Sequence, residues 1–392
     1  MFQLRDYQKQ ASNAALDAFK TSSKNGLLIL PTGSGKSLII ADIAAKLGEP
    51  LIVFCPSKEI LEQNVHKFQS YGLMNYGVYS ASSKSKDINK VTFATIGSVY
   101  NHLDDFSHFR YILVDEAHFV NSKGGMYETF INSEQRKVIG LTATPYRLAR
   151  SFNGGSELKF LTRTRPRVFS EVLYYCQISE LLAKGYLADL SYFDVSSRIS
   201  FKIENVKTNT TGSDYDDKSL TQEYERSNFS KDLLNWTVRV LKPNDGSKRN
   251  GVLVFTRFVK EASELISQLN TCGIRAAVVT GETPKKEREF ILDEFKKKKI
   301  QVVANANCLS VGFDYPALDT VILANPTKSL ARYYQQVGRI IRPYNGKKGW
   351  VVDLVGNYKR FGKVSDLRIE CPLNSQKWVI TSKGKQLTNI SF

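Results

Sequence analysis

The chain has 392 residues, 42% hydrophobic and 24% charged, which is enough to bury the cores of two or three domains. Lysine and arginine total 55 against 38 acids, a formal net charge of +17. That balance suits a polyanionic partner, nucleic acid first, with a solvated basic surface as the plainer reading. Cys55, Cys176, Cys272, Cys308 and Cys371 lie far apart with no Cys-x-x-Cys pair, and only four histidines accompany them. This argues against zinc and a disulfide framework, and leaves buried free thiols in a reducing cytosol as the expectation. No signal-peptide core opens the chain, and no apolar run approaches the roughly 18 residues of a membrane span.

In chain order, residues 4–20 read as a helix with Leu4, Tyr7, Ala11, Ala14, Ala15 and Phe19 as apolar contacts. A short apolar strand, Leu27 to Leu30, precedes Pro31-Thr32-Gly33-Ser34-Gly35-Lys36-Ser37, and a helix follows from Leu38 to Leu47. Further strands are expected at 51–55, 91–95, 111–115 and 137–142, with a helix through Phe68. Residues 149–170 read as a connector, and 202–218 as an exposed polar loop. Strand character resumes at 192–195, followed by one helix over 220–241. A second alternation runs through strands at 251–256, 275–279, 300–304, 320–323 and 349–354, with helices at 260–270, 284–297 and 329–340. Strands alternating with helices predict α/β architecture, parallel sheets flanked by helices. The expected division is 1–165, 166–357 and a basic tail, 358–392, whose structure is left open.

A strand, a glycine-rich loop and a helix make a phosphate cradle, because glycines turn backbone N–H groups toward an anion and the helix N-terminus adds partial positive charge. Thr32, Gly33, Ser34 and Gly35 would form the loop. Lys36 would reach the β- and γ-phosphates, and the Ser37 hydroxyl would ligate Mg²⁺. Leu30 stands where the longer form of the motif has glycine, and an ordinary tight turn is the alternative. Asp115-Glu116-Ala117-His118 follows directly on an apolar strand, which puts two carboxylates at a strand's carboxyl end. Asp115 can hold Mg²⁺ through water, and Glu116 can polarise the water that attacks a γ-phosphate. An acidic loop at a helix start is the bland reading.

Loop, Asp115-Glu116-Ala117-His118 and Thr142-Ala143-Thr144-Pro145 together resemble superfamily 2 helicases. The rest of that set is matched by Pro56 to Gln63, Thr95 to Val99, Val252 to Arg257, Thr280-Gly281-Glu282, Ser310 to Pro316 and Gln335 to Arg342, with Leu4 to Gln8 similar to an adenine-reading segment. The resemblance spans about residues 2–357. Within the superfamily the chain looks most like RadD-type DNA repair helicases and phage branch-migration helicases, through Gly312-Phe313-Asp314 and Val352 to Asn357. It departs from the RadD pattern by lacking a cysteine-rich zinc segment.

The resemblance implies two tandem RecA-like lobes with an ATP cleft between them. Catalysis would fall to Lys36, Asp115, Glu116, Gln335, Arg339 and Arg342. The two arginines, three apart on one helix face, would be supplied by the second lobe as planar guanidiniums. Arg5, Gln8 and Asp314 would serve the nucleoside, and His118, Thr142 and Thr144 would couple nucleotide to nucleic acid, with a core histidine as the alternative for His118. Ser57, Lys58, Thr95, Gly97, Ser98, Arg257, Thr280, Gly281 and Ser310 are hydroxyls, glycines and bases at strand ends, suited to phosphates more than base edges. The expected activity is ATP-dependent DNA unwinding or translocation in repair, recombination or fork remodelling, with ATP and Mg²⁺ and with repair proteins as partners. An RNA helicase, a restriction-type motor and a non-hydrolysing clamp are the alternatives. The expected setting is the cytoplasm of a prokaryotic cell or phage-infected host.

Overall fold

The computed structural model describes residues 3–121, 124–150, 156–243, 246–306, 308–309, 312–372 and 377–390. The chain divides into two units. One comprises Met1–Arg147, Lys159–Gln177 and Ile369–Val379; the other comprises Leu148–Leu158, Ile178–Arg368 and Ile380–Phe392.

The first unit is built on an eight-stranded sheet. Its order is Glu171–Tyr175, Gly26–Ile29, Lys137–Thr142, Tyr111–Asp115, Leu51–Phe54, Val91–Ala94, Gly77–Ser80 and Ser85–Lys86. Only the last pairing is antiparallel. The central strands are buried along their whole length, as both-face coverage by helices demands. Helix Lys36–Leu47 buries Ile39, Ile40 and Ile43, each worth roughly 1.5–3 kcal/mol relative to exposure. Asp42 on that helix accepts hydrogen bonds from Ser12 Oγ at 2.6 Å, Lys46 Nζ at 2.7 Å and Tyr71 OH at 2.6 Å, tying three helices together around one carboxylate. Burial pushes the Asp42 carboxyl up, but these three donors hold it below the usual carboxylate range.

The second unit holds a six-stranded, wholly parallel sheet in the order Leu190–Asp194, Gly349–Asp353, Thr320–Ala324, Val252–Thr256, Val302–Ala306 and Ala276–Val279. Beside it lies an aromatic cluster in which Tyr224 and Phe229 stack with centroids 4.3 Å apart, against Phe201.

Four expectations need correction. The single helix over 220–241 is two, Asp217–Ser227 and Phe229–Leu241, because Asn228 takes a left-handed conformation that ends one and starts the other. Residues 202–218 are not simply an exposed loop: Val206 and Tyr215 are buried in the second core. Glu171–Tyr175 belongs to the first sheet, although a boundary at 165 assigned it to the second lobe. Helix 329–340 ends at Val337, and Gly338–Ile340 form a 3-10 turn, so Arg339 and Arg342 do not share a regular helix face.

The basic tail is folded. Helix Asn357–Phe361 places Phe361 in a stack on Tyr333, 5.4 Å between centroids, and the Tyr333 hydroxyl donates to Gly362 O at 2.8 Å. Val364 N donates to the Tyr192 hydroxyl at 2.9 Å. Further on, Thr381 and Ser382 pair antiparallel with Gln386 and Lys385.

Candidate nucleotide site and nucleic-acid contacts

The phosphate loop leaves the buried strand Gly26–Ile29 and enters helix Lys36–Leu47. Gly33 and Gly35 have φ of 82° and 81°, where a side chain is strained. A Cβ on Gly35 would also lie 2.6 Å from Gln8 Nε2. Gln8 is therefore committed to the loop. Its Nε2 donates to Ser34 O at 2.8 Å, and its Oε1 accepts from Arg5 N at 2.9 Å, which also closes the capping box of helix Asp6–Thr21. Tyr7 OH donates to the same Ser34 carbonyl at 2.7 Å. Gln8, expected with Arg5 to read adenine or support that pocket, bonds the loop at Ser34, and Arg5 N bonds Gln8. Ser34 Oγ is buried without a partner inside the loop.

Strand Tyr111–Asp115 ends at the carboxylate pair. Glu116 sits at φ 53°, ψ 53°, a left-handed position for a residue with a Cβ. The turn aims its carboxylate at Lys36, with Nζ to Oε1 at 3.2 Å. Asp115 is anchored on both oxygens, by Glu116 N at 2.9 Å and by Asn64 Nδ2 at 2.9 Å. Burial, then the neighbouring Glu116, pushes the Asp115 carboxyl up to about 6, against Lys36 and Asn64. Asp115 and Ser37 offer hard oxygen donors beside the loop, a set that fits Mg²⁺ held with waters and phosphate oxygens. Among the described residues no cluster of three or more His, Cys, Asp or Glu could hold a metal.

His118 is buried, with Nδ1 3.0 Å from Thr142 Oγ1 and 3.4 Å from Glu116 Oε2. Burial, the largest influence, lowers its pKa to about 4, so the ring is neutral near pH 7. A proton assigned to Nδ1 serves both acceptors. Thr142 Oγ1 also accepts from Thr144 N at 3.0 Å, while Thr144 Oγ1 is buried without a partner. Lys36, Glu116, His118 and Thr142 thus form one chain of contacts from the loop to the strand end after Leu141. Because the folded pKa lies below the unfolded value near 6.5, the unfolded state takes up the proton first. Stability should fall as pH drops from about 6.5 to 4, by up to roughly 3 kcal/mol. His118→Asn should flatten that part of the melting-temperature profile; an unchanged profile would refute the assignment.

At neighbouring strand ends, Ser57 caps helix Lys58–Ser70, its Oγ accepting from Ile60 N at 3.4 Å, and Lys58 pairs with Glu62 at 3.2 Å. Thr95 Oγ1 and Ser98 Oγ lie 2.9 Å apart, and Ser98 Oγ accepts from Ala81 N at 2.9 Å. With Gly97, Lys84 and Lys86 they line a depression of about 740 Å³. The first unit therefore brings Thr95, Gly97 and Ser98 together.

In the second unit Arg257 donates Nη1 to Asp214 at 2.9 Å and Nε to Asp217 at 2.8 Å. Asp214 also accepts from Arg332 Nη1 at 3.0 Å and from Lys328 N at 3.1 Å. Burial raises the Asp214 pKa, but these donors, Arg257 foremost, bring it below the usual range. The expected phosphate contact Arg257 is thus held by two carboxylates. The Thr280 carbonyl accepts from Arg288 Nη2 at 2.9 Å, and Gly281 faces open space. Ser310 lies outside the described residues. Arg339 Nη1 donates to Phe313 O at 2.6 Å, and Arg342 pairs with Asp314. The two arginines therefore meet adjacent residues despite the broken helix, and Asp314, expected at the ribose, serves Arg342. Gln335 offers its carbonyl to Arg339 Nε at 3.3 Å.

Sequence reading missed Asn64 and Tyr7. Asn64 lies 51 residues before its partner, and no local pattern marks it. Tyr7 sits in the quoted Leu4 to Gln8 segment, where its hydroxyl was the available signal, but it read as an apolar contact.

The fold and site define a protein of tandem RecA-like lobes, the first carrying a phosphate loop backed by a carboxylate pair. Residues 1–147 match the family described as "Type III restriction enzyme, res subunit", and 232–344 match "Helicase conserved C-terminal domain". Together these two matches mark the chain as carrying the domain pair of a superfamily 2 helicase. A "51.5 kDa protein" of Lactococcus phage (isolate 7-9) is 25% identical over 338 residues, 85% of this chain and 66% of the relative. "DNA 3'-5' translocase XPB2" of Sulfurisphaera tokodaii is 23% identical, covering 90% of this chain and 81% of the relative. The structure titled "ATP-dependent Type ISP restriction-modification enzyme LlaBIII bound to DNA" aligns with TM-score 0.67 at 19% identity, over 90% of this chain and 28% of that one, a likeness of fold. The chain thus spans 66% of the length of the phage relative and 28% of that of the restriction enzyme. Among the described residues no helix is long and apolar enough to cross a membrane.

Proposed function

We propose that this chain is an ATP-driven DNA helicase or translocase that remodels forks, branches or recombination intermediates. The observation that carries the reading is the continuous contact from Lys36 through Glu116 and His118 to Thr142, which joins the phosphate loop to a neighbouring strand end. Lys36 binds the β- and γ-phosphates. Glu116 orients the attacking water and draws its proton. Asp115 and Ser37 would hold Mg²⁺, which supplies charge neutralisation of the phosphates when bound. Arg339 and Arg342 stabilise the transferring phosphoryl group once the second lobe engages ATP. For Arg342 this requires exchanging Asp314 for phosphate, and for Arg257 on nucleic acid it requires exchanging Asp214 and Asp217.

A second reading, the motor part of a restriction-type assembly, draws on the match over 1–147. The phage relative supports a phage-infected or prokaryotic cytoplasm. The test is the rate of ATP hydrolysis with single strands, duplexes, forks, four-way junctions and RNA side by side. Stimulation greatest with forks or junctions is the expected result. Stimulation by RNA alone makes it an RNA helicase, duplex-only stimulation favours the restriction-type motor, and no hydrolysis leaves a clamp. If about five phosphates are neutralised, log affinity for single strands should fall with log salt at a slope of roughly −3.5.

A further inference from the structure

Strands Leu190–Asp194 and Gly349–Asp353 pair in parallel at one end of the second sheet, so Asp194 and Asp353 end side by side. Beyond these carboxyl ends opens a cavity of about 820 Å³. Its cationic lining groups are Lys202, Lys359, Arg360 and Lys385, brought from a loop, a short helix and the tail hairpin. Of the two acids on its wall, Asp194 already accepts from Ser196 N at 3.0 Å and Ser196 Oγ at 2.6 Å; the other is Glu204. Phe201 and Leu387 give it an apolar floor. The carboxyl edge of a parallel sheet is where such folds bind ligands. Arg257 follows the strand Val252–Thr256 on the same edge, three strand spacings away, roughly 14 Å.

The protein joins these two places through consecutive residues. Asp214 holds Arg257, and the hydroxyl of Tyr215, which lines the cavity, accepts from Arg360 Nη2 at 2.6 Å. Arg360 also lies 5.6 Å over the Tyr215 ring, with Lys328 Nζ at 5.9 Å from it.

We propose that this cavity is a nucleic-acid subsite that takes the phosphodiester backbone of single-stranded DNA beyond Arg257. The inference rests on the function proposed above. Lysines on separate elements act as point charges, which hold phosphates without reading sequence. The tail, basic and without a catalytic motif, thereby acquires a role.

The experiment measures binding of a fluorescein-labelled oligothymidylate across a salt series. Lys359→Ala with Lys385→Ala removes two exposed cations, and Lys359→Arg with Lys385→Arg keeps them. Lys231→Ala with Lys299→Ala, exposed elsewhere on the same unit, controls for net charge. The alanine pair should make the log–log slope shallower by roughly 1.4, two phosphates' worth, and weaken binding at low salt. The arginine pair and the control should keep the wild-type slope. Equal loss in the control pair would reduce the effect to general surface charge and overturn the subsite. So would an unchanged slope in the alanine pair while the wild type binds normally. A wild type that binds no single strand would overturn the proposed function, and the subsite with it. Single lysine variants, each expected at half the change, serve if the pair loses its native circular dichroism.

Discussion

Arg342→Ala should cut DNA-stimulated ATP hydrolysis by roughly 10³–10⁵, the worth of an arginine that stabilises a transferring phosphoryl group. ATP affinity should be largely kept, because Lys36 and the loop amides belong to the first unit and do not depend on residue 342. In the structure the Arg342 guanidinium pairs with Asp314, and both side chains are about one third exposed, at 35% and 38%. A pair so open to solvent contributes little to stability, so the variant should fold normally. Arg342→Lys should not restore turnover, since an ammonium lacks the planar fork. Nucleotide affinity, turnover and unwinding on both variants decide the matter. Full activity in Arg342→Lys would mean that only local charge is needed. Lost ATP binding in Arg342→Ala would place the residue in the ground-state pocket.

Glu116→Gln should lower turnover by about 10²–10⁴, the range a general base supplies. The amide keeps the shape and can still accept from Lys36 Nζ, now 3.2 Å from Oε1, so the loop should hold its form. It loses the charge that orients a water and takes its proton. ATP binding, and nucleic-acid binding in the presence of ATP, should survive. Fluorescent-nucleotide titration alongside steady-state hydrolysis separates the two. Near-normal turnover in the variant would show that another residue activates the water.

The parts of the site that the sequence made legible are those carried by contiguous residues. Thr32 to Ser37 and Asp115 to His118 each carry several chemical groups within one turn, and the apolar strands before them fix their placement. The parts that were not legible depend on distant partners. Asp214 and Asp217 reach Arg257 from about forty residues upstream, and nothing in Val252 to Arg257 announces that two carboxylates will occupy the guanidinium. Gln8 sits where the resemblance puts an adenine reader, and nothing in Leu4 to Gln8 announces that its amide will also bond Ser34 O and Arg5 N. Two details of the fold were missed for similar reasons. Glu171–Tyr175 has no fully buried residue, so this edge strand lacks the apolar run that marked its neighbours. Apolar periodicity carries through 220–241 because both helices face the same core, and the single left-handed Asn228 between them leaves no mark on that period.

Glu116 is held in a backbone conformation that costs a residue with a Cβ of order 1 kcal/mol. Glycine would be at ease there, and asparagine nearly so. At this one position the demands of robustness and of chemistry run in opposite directions. Glycine there would relax the backbone but would leave Lys36 and His118, both largely buried, without the carboxylate they share. The strained backbone at Glu116 is the cost of setting one carboxylate against both the phosphate-loop lysine and the buried histidine.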